Sequence, residues 1–295
     1  MTLVPARAAI VGGVRTRLLT VDGEGPTFLL LHGFSDSADT WRPLLGELAR
    51  RRRRAVAVDL PGFGRAGPLG RGPVLPQLDA FLAALVEREP GPVVPVGNSM
   101  GGLTVLRSAG LPIAARVAVS PAGFGFLPSF DRVDDLLTRL LPVLRVAYRA
   151  PVPAPIVRAY AAAFYRFRLA KGAADPTLAL RYGSHFGGMA DFRRYGAIGR
   201  QLSAEIKANP LDVRRLTEPL LMIWGAEDHI CDSRPVAAAI ADLPNARLEL
   251  LENCGHSAQI QRPDRVADLM EELVESLADA PPLRVLPRPA GGCTR

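Results

Sequence analysis

Residues 93–102 read Val-Val-Pro-Val-Gly-Asn-Ser-Met-Gly-Gly. An apolar run arrives at Gly97, Ser99 follows with a glycine two residues to either side, and a helix-like stretch runs on to Ala109. This is the pattern of a nucleophile elbow, a sharp strand-to-helix turn that lifts a serine hydroxyl clear of a sheet. The residues at −2 and +2 must be nearly free of side chain, because Cβ atoms there would collide in so tight a turn. The turn also aims the positive end of the following helix dipole at whatever the serine attacks. A glycine-rich turn with an incidental serine is the competing reading, and the rest of the chain decides between them. Pro95 is out of place in a central strand, since proline cannot donate to a ladder; one lost hydrogen bond is expected there.

Outward from this stretch, short apolar runs alternate with helical patterns. Strands are expected over Thr27–Leu31, Ala55–Val58, Val93–Val96 and Arg116–Ser120. Helices are expected over Thr40–Arg51, with Trp41, Leu44, Leu45 and Leu48 on one face, and over Val74–Arg88, with Leu78, Leu82 and Leu85 on one face. Such alternation specifies an α/β fold, a mostly parallel sheet covered by helices on both faces. It stops near Ala122 and resumes with a strand at Pro219–Trp224, a helix near Pro235–Asp242, a strand at Arg247–Leu251 and a helix at Pro263–Leu277. Between lie helical patterns broken by proline: Asp131–Arg149, a hinge at 151–155, Ile156–Lys171 and Thr177–Gln201. All five tyrosines and seven of the eleven phenylalanines fall in this stretch, which marks it as a unit of its own. The expected organisation is a core made of 1–122 and 210–279, a helical insertion at 123–209, and a disordered Pro- and Gly-rich tail at 280–295.

The 295 residues suit one large domain or a core with a small insertion. The net charge of +7 rests almost wholly on arginine, with Lys171 and Lys207 the only lysines, and it is spread along the chain. The one dense run, Arg50 to Arg54, has no interleaved aromatics and so does not read as a nucleic-acid patch; at the end of a helix it complements the dipole. No apolar run approaches the length of a membrane span, so no stable membrane insertion is expected. Met1 to Gly13 lacks the apolar core of a signal peptide. Cysteines at 231, 254 and 293 are odd in number and lack metal-ligand spacing, which reads as free thiols in a reducing cytoplasm. No cluster suggests a metal and no glycine fingerprint suggests a dinucleotide, so no cofactor is expected.

Two further polar residues follow strand ends. Asp228 comes after the strand ending at Trp224, and His256 after the strand ending at Leu251. Ser99 has the same placement, and in an open α/β sheet that edge is where ligands bind. Serine needs a base to take its proton, neutral imidazole accepts one near neutral pH, and a carboxylate fixes the imidazole tautomer and stabilises its cation. The order Ser99, Asp228, His256 therefore meets the requirements of a catalytic triad. Oxyanion donors are expected from the N–H of Met100, at the head of the elbow helix, and of Phe34, in the turn after Thr27–Leu31. Glu227 and Asp232 compete with Asp228 as the acid. His229 reads as a surface residue, His32 as a support of the oxyanion turn, His185 as solvated ahead of substrate-facing, Asp59 as structural and Cys254 as a buried bystander.

His-Gly-Phe at 32–34, Asp-Leu-Pro-Gly-Phe-Gly at 59–64, Gly-Asn-Ser-Met-Gly-Gly at 97–102, Gly-Ala-Glu-Asp at 225–228 and Gly-His at 255–256 together resemble the α/β-hydrolase superfamily over residues 17–279. The resemblance implies an eight-stranded mostly parallel sheet with an antiparallel second strand, a triad of Ser99, Asp228 and His256, and a helical cap formed by 123–209. It is nearest to serine carboxylesterases and lipases, with some likeness to meta-cleavage-product C–C hydrolases. The latter usually carry His-Gly-x-Gly-Pro-Gly and a Trp after the catalytic His; here Phe34-Ser35-Asp36 and Ser257 stand in those places. The expected function is hydrolysis of an ester with an apolar part through an acyl-enzyme on Ser99. A C–C hydrolase or perhydrolase with the same triad, and a non-hydrolytic receptor or cyclase-like protein, are the alternatives. The expected partner is a small molecule, with no nucleic acid.

Overall fold

The structure, a computed structural model, describes residues 4–125, 152–171 and 175–279. The expected helix at Asp131–Arg149, the tail at 280–295 and Cys293 lie outside the described residues, as does the first residue of the hinge at 151–155. Eight strands form one sheet in the order β1-β2-β4-β3-β5-β6-β7-β8. They are β1 (Ala6–Val11), β2 (Val14–Val21), β3 (Glu24–Leu31), β4 (Arg53–Val58), β5 (Val93–Asn98), β6 (Arg116–Val119), β7 (Leu220–Gly225) and β8 (Ala246–Leu251). β2 runs antiparallel to both β1 and β4, and the pairs from β4 through β8 are parallel. The β1–β2 hairpin is not among the periodicity-based strands. Its signal is Gly12-Gly13, both at positive φ, the two-residue loop that lets a tight hairpin follow the strand twist.

The core strands are apolar on both faces, as a covered parallel sheet requires. Phe28 and Leu30 of β3, with Val94 and Val96 of β5, pack under α1 (Arg42–Arg50) and the last helix. Leu29 and Leu31 turn to the opposite face, beneath α2 (Val74–Arg88). α3 (Met100–Arg107) follows β5 directly. The expected Thr40–Arg51 helix is a 3₁₀ turn at Ala38–Trp41 followed by α1, and it stops at Arg50. Arg52 takes a φ of 56° and Arg53 and Arg54 open β4. The arginine run therefore serves ion pairs more than a helix dipole: Arg50 with Glu47, Arg51 and Arg53 with Glu271, and Arg54 with Glu89.

Pro95 is buried within β5, in register with Leu29 of β3. Val93 O accepts from Ala114 N and Ser99 N donates to Val119 O, so odd-numbered residues of β5 turn their backbone groups toward β6. β6 begins at Arg116 and its pairing with β5 begins at Val96. The missing N–H thus faces the mouth of that ladder, ahead of its first rung, where a proline removes least.

Between β6 and β7 lie α4 (Ala154–Phe164), a π-helical turn at Tyr165–Leu169, α5 (Pro176–Ser184) and α6 (Met189–Ala208). The sequence pattern reads Thr177–Gln201 as one helix, whereas the structure breaks it at His185–Gly188, where Gly188 takes a φ of 159°. Val157, Tyr165, Leu178, Tyr182, Phe186 and Tyr195 join the same apolar cluster as Leu29, Leu31 and α2. The carboxylate of Glu205 on α6 accepts from Val74 N and Leu75 N at 2.8 Å, capping α2 from the insertion. A short 3₁₀ turn at Val213–Arg215 leads to β7; α7 (Arg234–Ile240), α8 (Ala258–Gln261) and α9 (Pro263–Asp279) complete the chain's described helices.

Candidate active site

Ser99 stands between β5 and α3 with φ 52° and ψ −114°, outside the regions comfortable for a residue with a side chain. The turn is as tight as the glycine spacing requires. A Cβ on Gly97 would overlap the Gly101 carbonyl, and one on Gly101 would overlap the carbonyl oxygen of Leu31. Ser99 N donates to Val119 O, while Ser99 O accepts from Leu103 N and Ala122 N. Strain of this kind persists only where the surroundings over-determine it, and these three bonds do so.

Asp228 lies in the turn after β7. Its Oδ2 accepts from Nδ1 of His256 at 2.8 Å, and both side chains are buried. Its Oδ1 accepts from Ile230 N at 2.8 Å and Cys231 N at 3.1 Å. Burial alone would raise the Asp228 carboxyl, but the neighbouring His256 and the two amides hold it below the ordinary carboxylate range. The carboxylate is therefore ionised at neutral pH and fixes the proton of His256 on Nδ1. The loops of acid and base are in close contact, since a Cβ on Gly225 would overlap the Gly255 carbonyl.

Asn98 joins Ser99 to this pair. Its Nδ2 donates at 3.1 Å to Val119 O and at 3.1 Å to His256 O, so one side chain ties the elbow strand to the loop of the imidazole. Among the described residues no hydrogen bond of the Ser99 hydroxyl itself joins it to the ring. Asn98 is inside the quoted motif, and its near-complete burial is the feature that sequence reasoning passes over.

The turn after β3 packs on Ser99: a Cβ on Gly33 would lie 3.3 Å from that of Ser99. It is closed by Asp36 N donating to Gly33 O at 3.3 Å, with Ser35 at φ 57° in its third position, the mark of a type II turn. Among the described residues no hydrogen bond engages the Phe34 N–H. His32 underpins the turn. Leu60 N donates to its Nε2 at 2.9 Å, so the ring proton is on Nδ1, which donates to Gly33 O at 2.7 Å. Burial pushes His32 down to about 4, keeping it neutral in that role. Asp59 is structural as expected. It takes both ends of Arg17 and also accepts from Ala38 N and Arg65 N.

The other candidates separate cleanly. Glu227 pairs with Lys171 and Asp232 with Arg234, both away from the imidazole. His229 is exposed, and Cys254 is a buried thiol pushed up to about 11 by desolvation. His185 is a correction. It is half-buried rather than solvated, its Nδ1 is enclosed without a hydrogen-bond partner among the described residues, and burial lowers its basicity. A further buried acid, Asp36, is given no role by the sequence reading. Desolvation pushes it up to about 8, opposed by the Ser37 N–H and the Thr40 hydroxyl.

Among the described residues no group of His, Cys, Asp and Glu side chains is arranged to hold a metal, and no helix is long and apolar enough to cross a membrane. Known proteins agree with this architecture. The chain is 28% identical over 276 residues to the dihydrolipoyllysine-residue acetyltransferase component of the acetoin cleaving system of Cupriavidus necator, covering 90% of this chain and 67% of that protein. It is 26% identical over 273 residues to human monoacylglycerol lipase ABHD6, covering 86% of this chain and 77% of the lipase. Among solved structures, a bacterial membrane phospholipase A superposes with a TM-score of 0.75 at 21% identity, covering 94% of this chain and 87% of that one. A serine hydrolase of carbazole degradation superposes at 0.69, with 21% identity, covering 92% and 99%. The alpha/beta hydrolase family matches residues 28–269, and the chain belongs to it.

Proposed function

We propose that the protein is a serine hydrolase that cleaves an ester with an apolar part through an acyl-enzyme on Ser99. The observation that carries this reading is the bonded Asp228–His256 pair, tied through Asn98 to a serine in strained elbow geometry. His256 Nε2 takes the Ser99 proton as Oγ attacks the ester carbonyl, and Asp228 stabilises the imidazolium. The tetrahedral oxyanion lies between the N–H groups of Met100, at the head of α3, and Phe34; one such donor is worth roughly 3 kcal/mol in the transition state. His256 then returns its proton to the leaving alkoxide. Water, deprotonated by His256, attacks the acyl carbon and releases acid and free Ser99.

The insertion acts as a cap in this reading. The Phe34 ring meets Phe63 and Tyr195 at the rim of the site, a setting suited to an apolar acyl or ring group. The similarity to monoacylglycerol lipase points the same way. The test is covalent labelling by a fluorophosphonate, mapped to its residue, beside turnover of a short-chain nitrophenyl ester. Label on Ser99, with label and turnover abolished in Ser99→Ala, is the expected result. A folded wild type that neither labels nor turns over the ester overturns the reading. Turnover of a vinylogous diketone in place of the ester would move it to C–C cleavage.

A further inference from the structure

Three tyrosines, from the π turn, α5 and α6 of the insertion, reach a single loop of the core. Tyr182 of α5 shares a buried 2.8 Å hydrogen bond with Ser35 Oγ. Tyr165 of the π turn donates to Thr40 Oγ1 at 3.0 Å, in the 3₁₀ turn that ends the same loop. Tyr195 of α6 sets its ring edge-on to Phe34 and stacks on Phe63. Tyr165 and Tyr182 also stack on each other, with centroids 4.5 Å apart.

Ser35 is the pivotal residue. It holds a left-handed φ of 57°, a position that favours glycine, immediately after the proposed oxyanion donor Phe34. A serine there keeps its conformation only while its surroundings hold it. Beneath the loop, His32 fixes the carbonyl of Gly33. Above it, Tyr182 fixes the Ser35 hydroxyl. The Phe34 N–H belongs to the Gly33–Phe34 peptide, whose carbonyl also accepts from Asp36 N at 3.3 Å. That turn-closing bond depends on the left-handed conformation of Ser35, so the hold on Ser35 bears on where the Phe34 N–H is aimed.

We infer that Tyr182 is a positioning residue of the oxyanion hole, coupling the seating of the insertion to the orientation of the Phe34 N–H through Ser35. The inference rests on the hydrolase reading above. It predicts that the cap's docking is read by the chemical step and not only by substrate access.

The experiment compares wild type with Tyr182→Phe, which keeps the ring stack and removes the hydroxyl, and with Ser35→Gly, which keeps the left-handed backbone and removes the partner. The readouts are the rate of Ser99 labelling by a fluorophosphonate, and kcat and KM for nitrophenyl acetate. Expected is a drop of about tenfold in labelling rate and kcat for either variant, with KM within about twofold, the scale on which small misplacements act. The double variant falls no further than the worse single, because both remove one bond. Wild-type rates in both variants, a change confined to KM, or losses that multiply in the double variant overturn the inference. Should Tyr182→Phe fail to fold, Ser35→Gly decides alone. A wild type that does not label at all overturns the hydrolase reading instead, so the two failures are distinguishable.

Discussion

The elbow at Gly97–Gly102 and the insertion between β6 and β7 meet over one loop, yet they are held by different forces. In the elbow, backbone bonds and forbidden overlaps leave almost no freedom. Ser99 N and O are both engaged, and Gly97 and Gly101 admit no side chain. In the described part of the insertion, aromatic contacts run through the packing, as in the chain Tyr182–Phe186–Tyr195–Phe63, while α4 and α6 begin without a side-chain cap. Backbone geometry permits one arrangement. Aromatic packing is less exacting, which fits the cap role of the insertion in the proposed hydrolase reading.

The largest effect that separates the two regions comes from making one substitution in each. Gly101→Ala sets a Cβ against the backbone of Leu31 and His32, which cannot yield without moving β3, and a loss above about 4 kcal/mol is expected. Gly196→Ala, on the exposed side of α6, meets nothing closer than the end of Arg200 at 3.5 Å. There the better helix former should gain up to about 1 kcal/mol. Denaturant midpoints measure both. Equal and mild effects would mean that the elbow is as adaptable as the insertion.

The same contrast explains what was legible in the sequence. The elbow, the strand ends carrying Asp228 and His256, and α2 are set by local rules of glycine spacing and apolar period, and α2 falls at Val74–Arg88 as its pattern indicates. The insertion obeys tertiary contacts. Nothing local in Tyr165–Leu169 announces a π turn; its Tyr165 bond to Thr40 and the bond from Gln261 Nε2 to Leu169 O come from residues far along the chain. The solvated reading of His185 failed for a related reason, since its environment is built by the break at Gly187-Gly188, which the helical period of Thr177–Gln201 conceals.

Asp36 sharpens the comparison at the contact between the regions. Its carboxyl is enclosed near Thr40, Tyr165 and Tyr182, and desolvation raises it from 3.8 to about 8. The folded protein therefore keeps a proton that the unfolded chain releases above about pH 4. Stability is unaffected by this group below that point, falls as pH rises from about 4 to about 8, and levels off beyond. The accumulated cost is on the order of a few kcal/mol. Asp36→Asn removes the titration while keeping an acceptor for the Ser37 N–H. Its stability relative to wild type should improve steadily between pH 5 and pH 8 in urea titrations. A difference that is the same at both pH values would place the charge of Asp36 in contact with solvent.

The smallest effect tests the approach strand of the elbow. Pro95 directs its absent N–H at the mouth of the β5–β6 ladder, where pairing has not begun. Replacing it by alanine supplies a donor with little to receive it, removes buried ring carbons, and frees the unfolded chain. All three push the same way, so Pro95→Ala should lose about 1 kcal/mol in thermal or urea unfolding. A proline interrupting the middle of a ladder would behave in the opposite sense, because alanine would restore a hydrogen bond. A gain on substitution would therefore show that β6 extends past Arg116 to meet this residue, and that the rigidity ascribed to the elbow begins two residues later than Pro95.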